Sequence, residues 1–110
     1  RSTLFPYTTL FRSGSALDAP GAGDTYGRTC YLHEAMPVIF HILNHAHGFT
    51  EAVRANIRCG GDSCGRAWII GPAMAAIYGA GGERGIPLSW LARVTDAPDI
   101  LMDIERLVKG

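Results

Sequence analysis

The sequence predicts an all-α fold, a partial orthogonal bundle of helices, on three observations. Apolar residues recur at helical spacing in successive segments, glycine and proline stops separate those segments, and no alternating strand of useful length follows residue 14. Each element can be justified in chain order.

Residues 1–13 stand apart from the rest. Nine of them are hydroxyl-bearing, aromatic or proline, and their apolar members follow no helical period. They have the character of a translated sequencing adapter and are expected to lie outside the fold; the alternative is a β-prone arm, since Thr, Tyr and Phe favour strands. Residues 14–28 are small and turn-forming, with Pro20, Gly21 and Gly23 among them, and are expected as loop.

A first helix is expected at 34–46. Leu32, Met36, Ile39, Phe40 and Leu43 form its apolar stripe, Pro37 is tolerable near its first turn, and it ends before Gly48. A second, at 50–59, has Thr50 as N-cap, Glu51 beside the positive pole, Phe49, Val53 and Ile57 at four-residue spacing, and Gly60 as C-terminal stop. The third, at 63–79, carries Trp68, Ile69 and Ile70 and is apolar on nearly every side, so it is expected to be the most buried, with a kink at Gly71-Pro72. A flexible glycine-rich connection at 79–85 and an extended Ile86-Pro87-Leu88 lead to a short turn with Ser89 as cap and Trp90. Pro98 opens a last helix at 98–108, with Ile100, Ile104, Leu107 and Val108 as its buried stripe.

Composition narrows the function. A chain of 110 residues, 47% hydrophobic and formally uncharged, makes one small domain without the marks of disorder. Its ten basic and ten acidic residues are scattered, which excludes a nucleic-acid funnel or an anionic-membrane patch. The apolar run at 67–80 is broken by Gly71, Pro72 and Gly79 and falls short of the roughly 20 residues a membrane span needs. Cys30, Cys59 and Cys64 form no C-x-x-C pair, and their odd number without a secretory signal points to reduced thiols and a cytoplasmic setting.

The chemistry concentrates at Gly60-Gly61-Asp62-Ser63-Cys64-Gly65-Arg66. Two glycines allow a tight bend, and a carboxylate at a helix start can either ligate a hard cation such as Mg2+ or cap the helix. The helix N-H groups can face a phosphate. His41 and His45 have the i, i+4 spacing of a metal pair, but the glutamate of a zinc-protease helix is missing, and both are expected on the wetter flank of the first helix. Gly79-Ala80-Gly81-Gly82 follows a helix and precedes no Lys-Ser or Lys-Thr, unlike a phosphate loop.

Five pieces in order carry a resemblance over 29–107: Leu32-His33-Glu34-Ala35-Met36-Pro37, the segment from Phe49 to Asn56, the Gly60-Gly61-Asp62 corner, the helix from Ile70-Gly71 to Gly79-Ala80, and Ile86-Pro87-x-x-Trp90. Together they resemble the C-terminal portion of the ADP-ribosylglycohydrolase family. The resemblance implies that 29–110 is the C-terminal helical part of an all-α hydrolase domain. Such domains remove ADP-ribose from modified proteins or related ADP-ribose compounds with a two-magnesium centre. It further implies Asp62 as a metal ligand, Gly60, Gly61 and Ser63 as the ligand loop, and Arg66 as a phosphate partner.

Most active members of the family read Gly-Gly-Asp-x-Asp-Thr at the corner, whereas Cys64 and Gly65 stand at the second aspartate and the threonine here. A thiol is a poor ligand for Mg2+. This form is more similar to the divergent branch that includes selenoprotein J and crystallin-type members. The family's N-terminal acidic motif has no counterpart before Leu32, so the chain is expected to be the last third of a longer protein, inactive alone, with the N-terminal part of its own chain as partner. The alternative to a hydrolase fragment is a non-catalytic structural or ligand-binding member.

Overall fold

The computed structural model describes residues 19–110; the segment 1–13 lies outside the described residues. The chain forms α1 (Ala19–Tyr26), α2 (Leu32–His45), α3 (Phe49–Cys59), α4 (Ser63–Tyr78), α5 (Leu88–Leu91) and α6 (Ala97–Lys109). Among the described residues no strand is present beyond an isolated parallel bridge between Ala80 and Ile86. The all-α expectation holds, and the four expected helices lie within two residues of where their stripes and stops put them.

The first correction is α1, which occupies a segment read as loop. Its breakers are placed where they do least harm. Pro20 is the second helical residue, where its missing N-H would have had no partner. Gly23 is buried, and a Cβ there would lie 2.6 Å from the Cys59 carbonyl oxygen, so small size lets α1 press against the end of α3. The Cys59 thiol donates to the Ala19 carbonyl at 2.9 Å and ties the other end. Tertiary packing thus overrides local propensity.

Between α1 and α2 the Glu34 carboxylate reaches back out of its helix. Its Oε2 accepts from the Thr29 hydroxyl at 2.7 Å and the Thr29 N-H at 3.0 Å. The Thr29 hydroxyl bond first, then the Thr29 N-H, hold its pKa below the ordinary value. A lowered folded-state pKa contributes stability above the unfolded value, and that stability is lost as pH falls through the folded value. Thr29→Val is expected to move the Glu34 pKa back toward its ordinary value, read from the carboxyl carbon shift in an NMR pH titration; an unchanged midpoint would remove the hydroxyl bond as its cause.

The glycine-rich connection after α4 is not a loose tether. Gly81 N-H donates to the Ile86 carbonyl at 2.8 Å and Ile86 N-H to the Gly79 carbonyl at 2.9 Å, closing a turn in which Gly79, Gly81 and Gly82 have φ of +71°, +79° and +70°. Its Arg84 carbonyl accepts from Phe49 N-H at 2.8 Å. This bond satisfies a free donor of the α3 N-terminus. α3 therefore starts at Phe49, behind Gly48 and without a side-chain cap, and Thr50 is not the N-cap; Glu51 instead accepts from His47 N-H at 3.0 Å.

The core is Val38, Ile39, Ile42, Ala46, Ala52, Cys59, Ile70 and Met74, drawn from α2, α3 and α4 and bordered by Ala19, Tyr26, Met36, Leu43, Phe49 and Tyr78. Leu32 is exposed, and His41, expected on the wetter flank, is buried with its ring stacked on His45 at 4.3 Å. The larger correction concerns α4. It buries one line, Arg66, Ile70 and Met74, at four-residue spacing, while Trp68 is 82% exposed and Ile69 and Ile77 are exposed as well. The helix runs continuously through Gly71 and Pro72. Likewise α6 buries none of its residues, so Ile100, Ile104, Leu107 and Val108 form an apolar stripe without a cover among the described residues.

Candidate functional site

The corner between α3 and α4 assembles from three pieces of chain. α3 delivers Ala52, Asn56 and Cys59 on its core-facing side at i, i+4 and i+7 and ends at Gly60. Gly60 and Gly61 then take φ of +72° and +68°, positive values that cost an L side chain about 1–3 kcal/mol each. At Gly61 the requirement is also steric, because a Cβ there would stand 2.0 Å from the Arg28 carbonyl oxygen. That carbonyl accepts from Asp62 N-H at 2.9 Å, and Arg28 Nε donates to the Cys59 carbonyl at 2.7 Å. Arg28 also pairs with Asp24 at 2.5 Å, so the loop after α1 grips the corner on both sides.

Asp62 is the N-cap of α4. Its Oδ1 accepts from Gly65 N-H at 3.1 Å, satisfying one of the free donors of the helix start and placing negative charge at the positive pole. Gly65 makes this position possible: a Cβ there would lie 2.2 Å from Asp62 Oδ2. Cys64, next to it, is an exposed free thiol.

Arg66 departs furthest from expectation. Instead of facing an open phosphate pocket, its side chain is 1% exposed. Nε donates to Asn56 Oδ1 at 2.7 Å, and Nη2 donates to the Gly60 carbonyl at 2.6 Å and the Asn56 carbonyl at 3.2 Å. Asn56 Nδ2 donates in turn to the Ser63 carbonyl at 2.8 Å. Nη1 is buried without a protein partner, and no carboxylate pairs with Arg66 among the described residues.

The structure therefore brings Gly60, Gly61, Asp62, Ser63 and Arg66 together, but through one another. Gly60 and Ser63 offer carbonyls inward, Gly61 supplies the bend, Asp62 caps, and Arg66 clamps. The sequence reading missed Arg28, Asp24 and Asn56. Only Asn56 carried a signal, a polar residue in register with Ala52 and Cys59, which implies a buried amide needing a partner.

The described residues of the corner do not by themselves supply the donor set of a hard dication. Asp62 is the one carboxylate within residues 60–66 and one of its oxygens is engaged with Gly65 N-H; Asp24 is paired with Arg28, and a guanidinium is buried in the same corner. Among the described residues no three His, Cys, Asp or Glu side chains are grouped to hold a metal. The histidines lie elsewhere: His41 and His45 line a groove of about 200 Å³ between α2 and α3 with Glu51 and Arg58, and His45 Nδ1 is 2.8 Å from the His41 carbonyl.

Comparison with known proteins adds three findings. The family model described as ADP-ribosylglycohydrolase matches residues 9–110. Crystallin J1A of Tripedalia cystophora is 33% identical over 84 residues, covering 76% of this chain and 25% of the crystallin, so the chain spans about a quarter of that relative's length. No solved structure matches.

Proposed function

This chain belongs to the ADP-ribosylglycohydrolase family, and from that premise we propose that it is the C-terminal helical part of a structural, non-hydrolytic member. The observation that carries the reading is Asp62 closing α4 with Oδ1 on Gly65 N-H; the family resemblance adds that Cys64 and Gly65 stand where its pattern has an aspartate and a threonine. The resemblance to a protein named as a crystallin supports it. The chain keeps the helices and the corner, and the corner's polar groups are spent on the fold.

The open faces of α4, α5 and α6 belong to the same reading. Trp68, Ile77 and Leu88 are each more than 60% exposed, and large apolar side chains left open in this number mark surface that another body covers. The occupant we propose is the N-terminal helical part of the same domain, since the matched crystallin has three-quarters of its length outside the matched stretch. Three free cysteines are in keeping with a reducing, cytoplasmic compartment, and no helix among the described residues is long and apolar enough to cross a membrane.

The second reading, hydrolysis of ADP-ribose from modified proteins or related compounds, keeps the support of the family match and of an Asp62 that is only half buried. Asp62→Ala separates the two. As a cap, its loss is expected to lower stability by about 0.5–2 kcal/mol in urea unfolding. In the full-length parent, calorimetric titration with Mg2+ should give the same trace with and without Asp62→Ala, and neither protein should release ADP-ribose from a modified substrate. Binding or release that disappears with Asp62 would transfer the site to the hydrolase reading.

A further inference from the structure

Burying a guanidinium without an anionic partner costs several kcal/mol unless other groups compensate. At Arg66 the compensation is visible. Two of its three acceptors, the Asn56 and Gly60 carbonyls, belong to the C-terminal end of α3, the negative pole of that helix. The third, Asn56 Oδ1, is aimed by the amide's own bond to the Ser63 carbonyl in the first turn of α4. A few ångströms along the chain the opposite pole, the α4 N-terminus, is met by the Asp62 carboxylate. Both helix poles that converge on the corner are thus answered from within the chain, the negative one by Arg66 and the positive one by Asp62.

We propose that Arg66 is the resident cation of this corner, drawing the α3 carbonyls and, through Asn56, the start of α4 onto one fixed charge, so that the bend closes without a divalent ion. Asn56 is the positioning residue: it presents Oδ1 to Nε, and its Nδ2 bond prevents the amide from turning away. The inference rests on the structural reading above, because a metal-free corner needs another source of positive charge to hold the α3 carbonyls.

The test uses the whole chain in two measurements. In the first, 15N spectra of the arginine Nε-H groups are recorded with Mg2+ and with chelator. Arg66 is expected to give a slowly exchanging resonance, distinct from the other arginines and identical in both conditions, which collapses into solvent exchange in Asn56→Ala. A resonance that exchanges at the solvent rate in the unsubstituted chain overturns the clamp. So does one that becomes protected only with Mg2+.

In the second, thermal unfolding is followed for Arg66→Met and Arg66→Lys. Both are expected to melt roughly 10 °C or more below the unsubstituted chain, because the buried acceptors lose the planar fork that serves them and Lys restores charge without it. Midpoints within roughly 2 °C of the unsubstituted chain would overturn the proposal. If Arg66→Met does not fold at all, the Nε-H measurement decides alone. ADP-ribose release with the Arg66 resonance protected and Mg2+-independent would sink the structural reading and leave the clamp standing. Loss of the clamp with no metal binding would do the reverse.

Discussion

Gly61→Ala is expected to abolish cooperative folding of the chain, or to lower its stability by roughly 3 kcal/mol or more, whereas the same substitution at two other glycines has a smaller effect of either sign. At Gly61 the φ of +68° is unfavourable for alanine, and the added methyl would meet the Arg28 carbonyl oxygen at 2.0 Å. That oxygen cannot retreat without breaking the 2.9 Å bond from Asp62 N-H, and Arg28 is itself held through Cys59 and Asp24. Gly79 has nearly the same φ, +71°, but open space beside it, so Gly79→Ala should cost only the backbone term of about 1–3 kcal/mol. Gly71 lies inside α4 with nothing nearby, and Gly71→Ala should stabilise by about 0.5–1 kcal/mol. Urea denaturation of the three variants measures all of this at once. Equal losses at Gly61 and Gly79 would show that conformation alone, and not the grip of Arg28, governs the corner.

The second large effect is a contrast across one helix. Ile70→Asp places an unpaired carboxylate at a position 1% exposed, between α2 and α3, and is expected to cost roughly 3 kcal/mol or more, enough to leave so small a domain largely unfolded. Trp68→Asp, two residues away on the open face, should change stability by less than about 0.5 kcal/mol. It should instead reduce binding of a hydrophobic dye by the folded chain, because Trp68 is its most exposed aromatic side chain and lies next to the open Ile69. Circular dichroism in urea together with dye fluorescence reads both variants. A Trp68→Asp chain that unfolds as readily as Ile70→Asp would mean that the open face is already covered in solution.

The existence and bounds of α2, α3, α4 and α6 were legible in the chain because their signals are local. A 3.6-residue apolar period sets the helix, and Gly60, Gly79 and Pro98 mark its ends through backbone terms that act on single residues. The corner was legible for a similar reason, since two glycines before an aspartate and a serine already specify a bend followed by a capped helix. Which face of each helix would be covered was not. α4 is apolar on nearly every side, so its sequence carries no preferred direction, and only the placement of α2 and α3 decided that Ile70 and Met74 go inside while Trp68 stays out. In the same way α1 exists because a glycine and an alanine let it lie against the end of α3, against its own propensity. The role of Arg66 depended on tertiary structure most of all. A guanidinium ten residues from its amide partner can equally face solvent, a phosphate or the chain's own carbonyls, and the choice follows from the turn that brings Asn56 and Gly60 around it.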